Sequence, residues 1–415
     1  MYTQIDLRTV SEFLRDTVNF LNAKLSRDST QVPPIAGWHN FFKPNRIGTT
    51  GSAFPLIFLH QMQVEFPYKT DVLNGLLKAQ DANGAWAILS LRDIFSVEGT
   101  VWPLLTFILA GDTSHAAVIQ KATQWLLSNQ QPSGGWGSTA DSPPRILLTD
   151  ITIETLACLS PSPRENIFRA ITWLSNHQNK DGSWGCEPKS EGTVFHTAKT
   201  VNALIKAGIK QDDPRIQLAT SFIVKHWQPD PNNFSQEMYD VYAEPNYSRT
   251  IMEHDVDAEV VKTLLNVKPK GVNFKIFTAI KGFLTPYTKE GKLHPDGMEP
   301  SEWNIIPRAT ALKIFLDQMP TSSNGSAFTQ DDLLISSDIQ INVSKITISV
   351  VKMLLFHFRL TQAFLLLSIP VLIIFYVVYE YVIGDISFTD LALSLLVEIS
   401  GLSISMYIDK NRGKK

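Results

Sequence analysis

The sequence predicts an all-α fold, a six-repeat α/α toroid (an α6/α6 barrel) followed by a two-helix transmembrane hairpin. Three observations predict it. A Gln-x3-Gly-x-Trp turn recurs at a nearly constant interval, helical segments alternate on either side of those turns, and two long apolar runs lie toward the C-terminal end. The expected divisions are a toroid over residues 1–320, a linker over 321–344 and a membrane anchor over 345–415.

The turns come first because they set the period. Gln80, Gly84 and Trp86 share their spacing with Gln130, Gly134 and Trp136, and with Gln178, Gly182 and Trp184. Each set follows an amphipathic segment, such as VIQKATQWLLSNQ or IFRAITWLSNHQ. Degenerate copies extend the series: Gln228, Asn232 and Phe234, then Tyr287, Gly291 and Leu293, with Gly37-Trp38 one period upstream. The six positions are Trp38, Trp86, Trp136, Trp184, Phe234 and Leu293. The glycine permits a tight turn, the tryptophan packs beneath it, and the glutamine bonds backbone at the repeat junction. These residues are structural staples and not catalysts.

After each turn comes a second helix with a small-residue, Thr-rich start, as in EGTVWPLLTFILAG from Glu98 and TDITIETLACL from Thr149. No run of strands is expected. Six outer and six inner helices then close into a double ring. The arrangement of turns resembles the superfamily of squalene-hopene cyclases, class II terpene cyclases and protein prenyltransferase β-subunits, over roughly residues 30–318. The resemblance specifies a fold more than a reaction.

Composition narrows the function. The chain has 415 residues, 44% of them hydrophobic and 19% charged, which suits a large core. Its net charge of -3 gives no basic face for nucleic acid. Cys158 and Cys186 are the two cysteines, too few for a disulfide framework or a four-thiolate metal site. No P-loop, nucleophile elbow, helical His pair or Asp-Asp-x-x-Asp motif occurs. Neither a cofactor nor a metal is expected.

In such a toroid the starts of the inner helices surround one mouth of a central apolar cavity. The candidates there include Glu98, Asp150, His196 and Arg308 as cavity or substrate-binding residues, alongside His254, Asp255 and Asp257. The last three matter because class II terpene cyclases carry Asp-x-Asp-Asp on an inner helix, where the middle acid protonates an alkene or epoxide. The resemblance implies Asp257 as proton donor, with Asp255 or His254 orienting it. The match is incomplete, since Ala258 and Glu259 replace the motif's final Asp and the Thr that follows. Acids at a helix start also interact favourably with the helix dipole without any chemistry. Phe195-His196-Thr197 resembles the His-Thr of the zinc prenyltransferases, but neither Cys158 nor Cys186 sits where the matching Asp-x-Cys would stand.

The apolar runs at 364–383 and 391–408 are long enough to span a bilayer, and 345–359 suits a helix lying at its surface. Lysines and arginines flank the pair, with none in the connecting turn, which places both ends in the cytoplasm. The N-terminus shows no signal peptide. The spans also offer a surface through which copies could associate. The expectation is a membrane-anchored enzyme that draws an isoprenoid or lipid substrate from the bilayer. Its competitors are a non-catalytic toroid that binds a lipid or peptide and signals to its membrane helices, and a prenyltransferase-like transferase.

Overall fold

The computed structural model describes residues 5–40, 43–87, 95–231, 236–243, 248–291, 293 and 302–319. All lie in one compact unit, Met1–Ser336. The expected linker, interfacial helix and spans lie outside the described residues. Among those described, no helix is long and apolar enough to cross a membrane.

The chain opens with α1 (Leu7–Lys24), started by Asp6, whose side chain accepts the Arg8 N–H at 2.9 Å. There follow α2 (Thr49–Gln61), α3 (Lys69–Lys78), α4 (Val97–Ala110), α5 (Ala116–Ser128), α6 (Ile146–Leu156) and α7 (Arg164–Asn176). The series ends with α8 (Val194–Lys206), α9 (Pro214–His226), α10 (Val256–Val267), α11 (Asn273–Glu290) and α12 (Glu302–Asp317). The even-numbered helices pack each on the next, and α12 packs back on α2, which closes the inner ring. Each inner helix is backed by the outer helix that follows it, α3 behind α2 through α11 behind α10. Behind α12 stands α1, so the first helix of the chain completes the last layer.

The all-α expectation needs one correction. Three two-stranded antiparallel hairpins occur among the described residues: β1 (Ser26–Asp28) with β2 (Ile35–Gly37), β3 (His39–Asn40) with β4 (Lys43–Ile47), and β5 (Gln236–Ala243) with β6 (Ser248–Asp255). The last is the longest, with Gln236 opposite Asp255 and Ala243 opposite Ser248. It begins just after the fifth turn position of the series and is built from the strand-forming MYDVY and RTIM segments. Phe234, the fifth repeat position, lies outside the described residues.

The repeat turns are clasps built from the same bonds each time. Trp86, Trp136 and Trp184 are fully buried, and each indole N–H donates back to the preceding outer helix, at Leu76, Leu126 and Leu174 O, over 2.7–2.8 Å. Each tryptophan's backbone N–H donates forward to a threonine hydroxyl in the first turn of the inner helix, Thr100, Thr149 or Thr197. Trp38 does the same with Leu21 O and Ser52 Oγ. The glutamines reach sideways: Gln130 Nε2 donates to Gly134 O at 2.7 Å and to Asn166 O of the next outer helix at 2.9 Å. Gln80 and Gln178 repeat both bonds. The tryptophan therefore ties outer to inner helix within a repeat, and the glutamine ties one repeat to the next. Burying one tryptophan removes on the order of 200 Å² from water, about 5 kcal/mol before entropy is counted. Leu293 packs, partly buried, against the core in the sixth position.

Candidate active site

The motif residues on α10 part company because of helix geometry. Asp255 is the cap before α10, and Asp257 and Glu259, two apart on the helix, point about 200° away from each other, so these two cannot converge on one ligand. Asp255 caps α10, accepting the Ala258 N–H at 2.9 Å, while its Oδ2 takes the Arg308 Nε of α12 at 2.6 Å. Arg308 is 1% exposed. Burial pushes the Asp255 carboxyl up, opposed by the Arg308 guanidinium, and burial pushes Arg308 down, opposed by Asp255. This buried pair joins two neighbouring walls of the ring. Asp257 is fully buried, and its Oδ1 accepts the Trp227 indole N–H at 2.5 Å. It also lies within electrostatic range of Arg308. His254 stands opposite Glu237, one residue before the end of β6; its side chain lies outside the described residues.

Glu98 and His196 stand at the starts of α4 and α8, on either side of Arg145, which precedes α6. Burial pushes the Glu98 carboxyl up to about 7 against the pull of Arg145. Burial, helped by Arg145, pushes the His196 imidazole down to about 4, so the ring is neutral. Its Nδ1 lies 2.9 Å from the Thr193 hydroxyl, and its backbone N–H donates to the same oxygen at 3.2 Å. Arg145 reaches Glu187 at 3.0 Å. His196 is in the first turn of its helix and Cys158 follows the last turn of α6. Among the described residues no His, Cys, Asp and Glu group is arranged to hold a metal.

Asp150 has a different setting. It lies deep in α6 with no exposed surface, and Thr200 Oγ1 of α8 donates to its Oδ2 at 2.8 Å. Its Oδ1 has no hydrogen-bond partner among the described residues. Burial pushes this carboxyl well above the usual range, with the Thr200 bond opposing and the Glu154 and Glu259 charges reinforcing the rise. Lys199 opposes the rise, and the net effect of the setting favours the neutral acid form.

Beside it runs a charged network that sequence reasoning missed. Lys199 of α8 bonds Glu154 of α6 at 2.9 Å and lies 3.9 Å from Glu259 of α10. Lys262 meets Glu259 at 2.6 Å, and the Asn202 amide donates to Glu259 at 2.7 Å and to Thr263 at 2.9 Å. Burial alone would raise Glu259, but the two ammoniums prevail and hold it down at about 2. Lys199 goes the other way: burial would depress it, and the carboxylates of Glu154 and Glu259 hold it above its ordinary value. The apolar interior expected beyond the helix starts is thus corrected. Glu154 of α6, Lys199 of α8 and Glu259 and Lys262 of α10 lie along the inner helices as a network in which carboxylates and ammoniums from neighbouring helices neutralise one another. A separate hollow of about 60 Å³ between α2 and α4, lined by Leu56, Phe66, Lys69 and Leu109, has room for a few waters and no isoprenoid.

Comparisons with known proteins agree with this architecture. Residues 22–150 match the squalene-hopene cyclase C-terminal domain, and residues 119–227 match the squalene-hopene cyclase N-terminal domain. The two matches overlap and run in reversed order, as expected when a domain is recognised through its internal repeats. No curated protein matches in sequence. Among solved structures, a variant of the type II terpene cyclase MstE from Scytonema, bound to geranylgeranyl dihydroxybenzoate as substrate, superposes with a TM-score of 0.51. It shares 18% identity and covers 75% of this chain and 97% of its own. A second, ligand-free MstE variant gives a TM-score of 0.50 at 17% identity, with the same coverage. A protein geranylgeranyltransferase-I from Candida albicans overlaps less, at a TM-score of 0.40 and 17% identity over 53% of this chain and 69% of that one. The described part of the chain therefore has a mostly helical, terpene-cyclase-like fold, and residues 22–227, its first four repeats, are similar in sequence to squalene-hopene cyclase domains.

Proposed function

We propose that this protein is an isoprenoid-handling enzyme that starts a cyclisation by protonation, with Asp150 as the proton donor. The observation that carries the reading is the Asp150 carboxyl: fully buried, pushed toward the neutral acid by desolvation, and fastened by Thr200 through one oxygen while the other has no hydrogen-bond partner among the described residues. In that role the Asp150 O–H bond breaks as a C–H bond forms at an alkene terminus, leaving a carboxylate and a carbocation. Loss of a different C–H proton after ring closure completes an isomerisation that needs no co-reactant. Asp257, the donor implied by the sequence motif, fits less well, because the Trp227 indole already occupies its Oδ1.

The reading extends to location. The apolar runs at 364–383 and 391–408 would hold the protein in a membrane, with the toroid and the C-terminus on the cytoplasmic side. The lipid phase would supply the substrate. Protease protection in sealed vesicles tests that orientation.

The catalytic test compares wild type with Asp150→Asn and Asp257→Asn on polyprenyl alcohols and epoxides, with products read by mass spectrometry. Asparagine at 150 still accepts the Thr200 bond but has no acidic proton, so product should vanish with thermal stability little changed. Full activity in Asp150→Asn and none in Asp257→Asn would return the donor role to Asp257. Retention of these compounds without turnover would favour the binding-protein reading, which the charged inner walls also support.

A further inference from the structure

Asp150 and Glu154 stand four residues apart on α6, one above the other on the same face. Adjacent residues of α8 meet them: Thr200 Oγ1 donates to Asp150 at 2.8 Å, and Lys199 Nζ donates to Glu154 at 2.9 Å. The two helices are thus laced by two rungs, one closed by a hydroxyl and the other by an ammonium. Lys199 also has Glu259 of α10 at 3.9 Å, and Lys262 holds that same carboxylate at 2.6 Å. Two ammoniums face two carboxylates, and the cluster is neutral only while Asp150 keeps its proton. The helices packed against α6 bring further titratable groups. These are Glu98 in the first turn of α4, neutral His196 and exposed Lys206 on α8, and exposed Arg164 and Glu165 on α7. Arg169 of α7 donates to the Gln131 and Pro132 carbonyls, and Arg145, ahead of α6, pairs with Glu187.

We propose that Glu154 is the positioning residue that keeps Asp150 an acid: it engages Lys199 and so holds that ammonium off the Asp150 carboxyl. This inference rests on the reading of Asp150 as proton donor and adds what controls it, whatever molecule receives the proton. Charge balance links the two carboxyls. Buried charges persist in compensated sets, so the loss of one charge from the cluster has to be met by another. With Glu154 neutralised, two ammoniums would face Glu259 alone. Asp150 can restore the balance: its O–H bond breaks, the proton passes to solvent, and the carboxylate left behind pairs with Lys199. A lysine stem is flexible enough to swing between carboxyls one helical turn apart. Thr200 fits the same account. Its hydroxyl donates to Oδ2, which leaves the acid proton on Oδ1, the oxygen with no hydrogen-bond partner among the described residues.

Infrared difference spectroscopy on the full chain, in a detergent without carbonyl groups, reads the state of Asp150 directly, because a neutral carboxyl and a carboxylate absorb at different frequencies. Subtracting the spectrum of Asp150→Asn, in wild type and in each variant background, isolates the Asp150 band. Wild type should show the neutral-acid band at neutral pH. Glu154→Gln keeps the shape of the side chain and loses its charge, so the pH at which the band disappears should fall by about 1–3 units. Adding Lys199→Met to Glu154→Gln should return it to the wild-type value, and Glu154→Asp should leave it there. A midpoint unmoved by Glu154→Gln overturns the proposal, and so does one that Lys199→Met fails to restore. Lys199→Met alone should move the midpoint upward, and a fixed midpoint in that variant overturns the proposal even if Glu154→Gln folds poorly. Absence of the band from wild type overturns the donor reading as well, whereas a band that is present and insensitive removes only the role of Glu154.

Discussion

Single side chains in this ring act through pairs, and their removal should be read that way. Lys199 bonds Glu154 and lies near Glu259, which Lys262 also holds, so Lys199→Met strands the Glu154 carboxylate in a site poor in water. The expected cost is about 3–5 kcal/mol in urea unfolding, with much of it recovered when Glu154→Gln is added. Glu98 gives a pH signature. Its carboxyl is pushed up to about 7 from an ordinary 4.5, so the unfolded chain releases the proton well before the folded one does. The stability contributed by neutral, buried Glu98 is complete below 4.5 and is lost as pH rises through 7. Glu98→Gln should therefore melt higher than wild type near pH 8 and almost equally near pH 4.5, as followed by circular dichroism. His196, neutral down to about 4, has the opposite sense: its contribution is present above 6.5 and is lost as pH falls through 4. Both shifts come chiefly from burial, which packing of residues far apart in the chain sets, and so the sequence offered Glu98 and His196 only as positions near a mouth. Asp150 was among the same candidates, but its partner Thr200 stands fifty positions on and nothing local ranks it above Asp257.

The repeat turn is where sequence and structure coincide most closely, because its bonds are local and its residues recur. Trp86, Trp136 and Trp184 are legible from spacing alone, and so is the glutamine bridge. The threonine clasp was also on view, thirteen or fourteen residues after each tryptophan, but it shows as a bond only once the helix start folds back. The turn glycine has two duties. At Gly134 φ is +108°, and a Cβ would stand 2.5 Å from the Arg169 carbonyl oxygen, so the residue must adopt an unusual conformation and leave room for the next helix. Gly208 has a φ of +90° with nothing within 4 Å. Gly208→Ala should cost about 1–2 kcal/mol, for the backbone alone. Gly134→Ala should cost at least about twice that, because α7 has to move as well. Gln130→Ala, which forfeits the bonds to Gly134 and Asn166, should cost about 2 kcal/mol. The β5–β6 hairpin went unread because a single turn position was being sought in that stretch. Its alternating MYDVY and RTIM segments were the available signal.

For the molecule as a whole, alternation of outer and inner helices could be foreseen, but which faces meet across the ring could not. The network of Glu154, Lys199, Asn202 and Glu259 joins residues 45 and 57 apart in sequence, and only closure brings them together. Closure itself depends on the two ends of the described unit. Tyr287 of α11 donates its hydroxyl to Asp16 of α1 at 2.6 Å, and that contact, after burial, pushes the phenol up to about 12. A chain lacking residues 1–24 should therefore lose amide protection first in α12 and α11, as measured by hydrogen exchange, while α4, α6 and α8 keep theirs. The same arrangement bears on the order of events during synthesis. Val10, Phe13, Leu14 and Leu21 of α1 leave the ribosome long before the inner helix that α1 backs, which ends at Asp317. Until then that greasy face has to wait without its final partner, so a nascent chain halted before α12 should be an avid chaperone client, and one released just after it should not.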